Sequence, residues 1–242
     1  LTFSASLFNA QPRLLPPLDP AFRPLALGVR QFRAALAAAP ARIPFALVLE
    51  QDPDSIARLD LELFPAEAGR DADNLRYLSA MLNFLLWSRG GWRVLLAGPE
   101  GLCRALAAAY AADGARAFDA ALMTQAFGRP FQVLRVAPRE LPQARERALT
   151  LGGHLEGCRL GFDLGASDYK VVAVRDGELV FSAELPWNPK VEADPEYHYR
   201  LLGEGLRLAA SYLPRVDAIG GSSAGIVVAN QIRVASLFRA VP

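Results

Sequence analysis

Residues 160–174 read Leu-Gly-Phe-Asp-Leu-Gly-Ala-Ser-Asp-Tyr-Lys-Val-Val-Ala-Val. An apolar strand runs into Asp163, the small residues Gly165, Ala166 and Ser167 follow, and a second strand returns over Val171–Val174. These types at this spacing suit phosphate chemistry, because a tight turn exposes backbone N–H groups and small side chains let an anion reach them. Asp163, at the strand end, is placed to hold a hydrated metal ion beside that anion. Lys170 either reaches the phosphate or lays its stem along the sheet edge with its ammonium in water. The same letters also serve a plain β-turn, where Asp bonds its own backbone and Gly supplies a positive φ.

Other reactive side chains form no comparable constellation. His154 lies in a glycine-flanked linker and His198 between two tyrosines, neither with a carboxylate or cysteine at ligand spacing. Cys103 and Cys158 stand far apart without a CxxC partner and read as buried reduced thiols. Glu50, Asp52 and Asp54 read as exposed turn carboxylates, and Trp87 and Trp92 as core at a helix–strand junction.

The elements that must position the turn follow from periodicity. In residues 1–44 prolines recur, and the expectation is an irregular arm around one helix, Leu27–Ala39. Strands are expected at Ile43–Glu50, Leu59–Phe64, Trp92–Ala97 and Phe131–Val136, and helices at Asp73–Ser88, Glu100–Ala112, Ala115–Phe127 and Pro138–Thr150. The apolar run Leu78–Trp87 reads as a buried helix and is shorter than the ~18–20 residues that cross a bilayer. Asp176-Gly177 turns the strand after the phosphate-type turn into a third, Leu179–Leu185. A helix over Pro195–Leu213, a strand over Val216–Gly220 and a hairpin over Gly225–Ala235 complete the chain. Its 242 residues, 52% of them hydrophobic, supply core enough for two small domains. A net charge of +1 lacks the basic excess of a nucleic-acid surface.

Three meandering strands with Asp-x-Gly-small-Ser in the first turn resemble the phosphate-1 element of the sugar kinase, actin and heat-shock chaperone superfamily. The nearest likeness is to the ROK group of sugar kinases and sugar-responsive regulators, whose common form is Asp-x-Gly-Gly-Thr-Lys. Here Ala166 replaces the second glycine, Ser167 the threonine, and the lysine stands at 170. The strand ending in Ser222-Ser223-Ala224-Gly225 is similar to the family's strand ending in Val-Pro-Gly, with Ala224 for proline. The resemblance covers roughly the last third of the chain.

It implies an α/β fold with an actin-like, ribonuclease H-like mixed sheet, flanking helices and two sub-domains. The expected division is a proline-rich arm (1–42), an α/β domain (43–150) and a sugar-kinase-like amino-terminal half (151–242). Residues 43–136 are either a cousin of that half without its phosphate turn or an ordinary α/β layer. Asp163, Gly165, Ala166, Ser167 and Lys170 are implied to face ATP, with magnesium held through water on Asp163. Ser222, Ser223, Ala224 and Gly225 are implied to line the sugar side, where Asn230 bonds a sugar hydroxyl or caps its turn.

The family's catalytic Asp, in an Asn-Asp-Ala run, has no counterpart among these residues. The expectation is therefore an incomplete sugar kinase, inactive alone, that in its complete form takes a sugar and a nucleotide. The alternative is a non-enzymatic, sugar-responsive regulator. A cytoplasmic protein without a membrane partner, possibly a homo-oligomer, is expected. Nucleic acid is not, because residues 1–44 are too proline-broken for a winged helix.

Overall fold

The computed structural model describes residues 6–146, 152–228 and 231–242. The fold is mixed α/β, and the chain divides into two compact units, Leu1–Ala148 and Leu149–Pro242.

The first unit comprises α1 (Leu25–Ala37), β1 (Ile43–Asp52), β2 (Ser55–Leu63), α2 (Asp71–Arg89), β3 (Arg93–Ala97), α3 (Glu100–Ala109), α4 (Ala117–Phe127) and β4 (Gln132–Arg135). Its sheet has the order β2-β1-β3-β4, antiparallel except for the β3–β4 pair. Alternation along β1 gives the sheet two apolar faces. Phe45, Leu47 and Leu49 join the core with Leu78, Leu82 and Leu86 of α2. Val48 joins Ile56, Leu95, Ala97 and Leu141 in a second, smaller cluster. The helix expected in the proline-rich arm is part of the main core: Phe32 of α1 is fully buried and stacks on Tyr77 of α2, ring centroids 4.3 Å apart.

Several expectations need correction here. The helix expected over Pro138–Thr150 is a single 3-10 turn, Pro138–Glu140. Beyond it Arg145 forms an isolated antiparallel bridge with Ile56, and residues 147–150 lie outside the described residues. Pro142 explains this, since its ring disfavours the helical region for Leu141, whose ψ is 128°. Leu78–Trp87 is helical but not buried throughout, with Phe84 and Trp87 exposed. Trp87 is therefore not core. Trp92 is half-buried, with the guanidinium groups of Arg93 and Arg129 at 5.1 and 5.0 Å from its ring centroid. Glu50 is not an exposed turn carboxylate either: it is buried and paired with Arg93.

The second unit comprises β5 (Cys158–Leu164), β6 (Asp168–Arg175), β7 (Glu178–Pro186), α5 (Pro195–Ala210), β8 (Ala218–Ser223) and a separate hairpin, β9 (Ile226–Val228) with β10 (Gln231–Val234). Three antiparallel strands meander, α5 crosses back, and β8 pairs parallel to β5, giving the order β7-β6-β5-β8. Asp194 caps α5 by accepting from the Glu196 N–H at 2.9 Å, and Pro195 occupies the first turn, where its missing N–H costs nothing. α5 packs its apolar side on the sheet beside Leu160, Tyr169 and Val171.

The two sheets do not share a topology. In the first unit two strands precede the crossing helix, so β3 runs antiparallel to β1. In the second unit three strands precede it, so β8 runs parallel to β5. An odd or even strand count before the crossing fixes the direction of the strand after it.

One buried side chain ends β2. Asn74 is fully buried; its Oδ1 accepts from the Phe64 N–H at 3.1 Å and its Nδ2 donates to the Phe64 carbonyl at 2.8 Å. The amide thus replaces a neighbouring strand. Asn74→Ala leaves both backbone groups unpaired in the interior and should cost about 2–4 kcal/mol, read by urea unfolding followed by circular dichroism. A loss below ~0.5 kcal/mol would mean that solvent reaches Phe64.

Candidate functional site

The β5–β6 connection places Asp163 at the carboxyl end of β5 and carries Gly165, Ala166 and Ser167 in the turn. Gly165 donates its N–H to the Asp168 carbonyl at 2.9 Å, closing the turn. The positive φ expected of a glycine here is absent. Gly165 is required for space instead, because a Cβ would stand 2.7 Å from the Asp168 carbonyl oxygen. Ala166 and Ser167 are exposed, and among the described residues their N–H groups donate to nothing.

Trp187 holds this turn from behind. Its Nε1 donates to the Gly165 carbonyl at 2.9 Å and its backbone N–H to the Ser167 carbonyl at 3.1 Å. The indole is buried against Tyr169, His198 and Phe238. Sequence reading passed over Trp187, and only its place just after a strand paired with the turn hinted at this role.

Register then builds a polar row across the sheet. Glu184 of β7 pairs with Lys170 of β6, Lys170 with Asp163 of β5, and Asp163 with Ser222 of β8. Side chains directly opposite one another share a face, so all four stand together on the sheet face. Ser222 Oγ donates to Asp163 Oδ1. Lys170 Nζ donates to Asp168 Oδ1 at 2.8 Å, and Ser167 Oγ to Asp168 Oδ2 at 2.9 Å. Asp163, Lys170 and Ser222 line an open cleft of about 510 Å³ with Gly161, Gly220 and Gly221 in its floor.

The other expected residues fall elsewhere. Ser223 pairs with Leu164 and so belongs to the opposite face. Ala224 and Gly225 lie beyond the end of β8, and a Cβ on Gly225 would meet the Val234 carbonyl at 2.4 Å, which ties this turn to the β9–β10 hairpin. Asn230 lies outside the described residues. Of the four residues expected on the sugar side before Asn230, Ser222 alone reaches Asp163.

Charge at the turn is divided. The Lys170 ammonium, and after it the Ser167 hydroxyl, hold the Asp168 carboxyl below its ordinary value, and the Asp168 carboxylate raises Lys170. Asp168 and Glu184 are carboxylates that sequence reading had not placed at the site; period-two alternation along β6 and β7 was the signal for Glu184. Among the described residues no group of three or more His, Cys, Asp or Glu side chains forms a metal cage. A cation here would need ligand phosphate and water to complete its shell. Asp163 Oδ2, free of the Ser222 bond, and the Ala166 and Ser167 N–H groups are the groups that would be available to a magnesium-bound phosphate, although Gly165, Ala166 and Ser167 do not line the cleft. No protein-family model and no curated protein matches the chain. Among the described residues no helix is long and apolar enough to cross a membrane.

The Asp168–Lys170 pair makes a pH prediction. Asp168 has a depressed folded pKa, so its contribution to stability is in place above the unfolded carboxylate pKa and is lost as pH falls through the folded one. In carboxylate-detected NMR titrations Lys170→Met should move the Asp168 midpoint upward, and Ser167→Ala should move it by less. An unmoved midpoint in Lys170→Met would show that the pair is not formed.

Proposed function

We propose that the Leu149–Pro242 unit is a sugar-kinase-type half domain related to the ROK group, which binds a magnesium-complexed phosphate weakly at the Gly165–Ser167 turn. The observation that carries this reading is the parallel β8, which sets Ser222 beside Asp163 at the mouth of a turn with two unpaired N–H groups. Asp163, Ala166 and Ser167 would hold the phosphate and its metal. Bound magnesium would supply neutralisation of charge on the phosphate oxygens.

Phosphoryl transfer to a sugar also needs a general base within reach of the acceptor hydroxyl. The carboxylates of the turn are committed elsewhere: Asp163 accepts from Ser222 through Oδ1 and on this reading gives Oδ2 to the metal, and Asp168 is held by Ser167 and Lys170. The unit therefore binds without turnover on its own, and ATP chemistry belongs to an assembly that brings a base. A second reading, a non-enzymatic sugar-responsive binding protein on the same fold, is favoured by Asp168. This carboxylate occupies the position after Ser167 where the resemblance implies a lysine, and it repels a bare phosphate.

Amide NMR titration with Mg·ATP tests the proposal. Residues 163–168 should shift with a Kd on the order of millimolar, and omitting magnesium should abolish the shifts, because metal must offset Asp163 and Asp168. Asp163→Asn should remove binding while leaving the melting temperature nearly unchanged, since Asn keeps a hydrogen-bond acceptor for Ser222. Shifts absent from the turn, or wild-type affinity in Asp163→Asn, would overturn the phosphate reading. Micromolar affinity would overturn the half-domain reading.

A further inference from the structure

Residues 10–24 connect two buried anchors of the first unit. Phe8 precedes them in a 3-10 turn, Leu7–Asn9, and Phe32 follows in α1; both are buried, with ring centroids 6.1 Å apart. Between these anchors the chain turns its apolar side chains outward. Leu18 is fully exposed, Leu14 is 87% exposed, and Leu15 and Phe22 are each 50% exposed. Single leucines at a surface are ordinary, but four large apolar side chains within nine residues mark a contact surface.

The loop is stiff. Its two β-turns share Asp19: the Asp19 N–H donates to the Pro16 carbonyl at 3.2 Å, and the Phe22 N–H to the Asp19 carbonyl at 3.0 Å. Pro16, Pro17 and Pro20 fix φ through both turns. The Arg23 guanidinium donates to the Pro20 and Phe22 carbonyls at 3.1 and 2.9 Å. The leucines are therefore held outward before any partner arrives, which lowers the ordering cost of docking.

Charge names the partner. Residues 6–44 hold five arginines and one acidic residue, Asp19, although the whole chain carries a net charge of only +1. Arg13 and Arg23 flank the exposed side chains, and among the described residues Arg13 has no ion-pair partner. A protein groove that took these leucines would need no such excess. An anionic lipid surface supplies both an apolar medium for the leucine tips and phosphates for the guanidinium groups. Such a contact lies on a bilayer and does not span it, so it agrees with the lack of a spanning helix among the described residues. The expectation of no membrane partner rested on spanning segments alone.

We propose that the loop 13–23 docks the chain on anionic lipid bilayers, seating Leu14, Leu15, Leu18 and Phe22 among the headgroups and Arg13 and Arg23 on lipid phosphates. The test is co-sedimentation of the full chain with vesicles of phosphatidylcholine alone or of an equal mixture with phosphatidylserine. The mixed vesicles should carry the chain down, and the neutral ones should do so far less. Leu14→Ser combined with Leu18→Ser should weaken binding more than about tenfold. Arg13→Gln should weaken it about fivefold. All three positions are exposed, so the melting temperatures should stay unchanged. In Leu18→Trp, brominated lipids should quench the added indole, which reads insertion directly. No sedimentation with mixed vesicles, wild-type binding in the double leucine variant, or an unquenched indole would each overturn the proposal. So would self-association that the double leucine variant abolishes, seen without vesicle binding, because it would assign the loop to a second copy of the chain.

Discussion

The candidate phosphate site depends on the backbone pairing of β5 along both of its edges. Its antiparallel edge sets Lys170 opposite Asp163, and its parallel edge sets Ser222 opposite the same residue. A slip of one residue on either edge would send the partner side chain to the other face, because side chains alternate with a period of two. The antiparallel register is local, fixed by the short turn that Gly165 closes. The parallel register is not local, and it requires α5 to span the sheet and deliver β8 at the right height. Apolar packing of α5 against Leu160, Tyr169 and Val171 carries that requirement.

The turn's chemistry is decided by which carboxylate is already spoken for. Asp168 takes both Lys170 and Ser167, so the lysine compensates a negative charge of the protein before it can meet one on a ligand. Asp163 Oδ2 is free of the Ser222 bond, and among the described residues the Ala166 and Ser167 N–H groups donate to nothing; on the proposed reading a phosphate would bring a cation to offset Asp163 and Asp168. Trp187 keeps this arrangement in place by bonding the Gly165 and Ser167 carbonyls from the buried side, and the Ala166 and Ser167 N–H groups are left without a partner among the described residues. The indole's contacts with Tyr169, His198 and Phe238 tie the geometry of an exposed loop to the packing beneath it.

The first unit shows how a single proline redirects a segment. With Leu141 held extended before Pro142, the chain crosses the sheet's second face as a strap instead of coiling into a helix. Leu141 is buried on that face, and Arg145 bridges to Ile56. The strap leaves open the end of the face where Ala46 and Ala97 are too small to fill the space.

The alternation of β1, the glycine after α2, the Asp176-Gly177 turn and the Asp-x-Gly turn were all legible in the sequence, because each rests on contacts between near neighbours in the chain. The α/β class and most elements followed from these local signals. The helix expected at 138–150 is prevented by Pro142, which holds Leu141 extended despite the helical spacing of the charges that follow, and Trp87 is exposed because an apolar run does not say which side faces solvent. Spacing singled out Asp163, and the family resemblance separately pointed to Ser222. Their meeting, the company of Glu184 and Asp168 and the support from Trp187 were decided by tertiary structure alone. Each of these joins residues through strand register or packing between elements, and the energy that sets such contacts belongs to the whole core, not to any window of the chain.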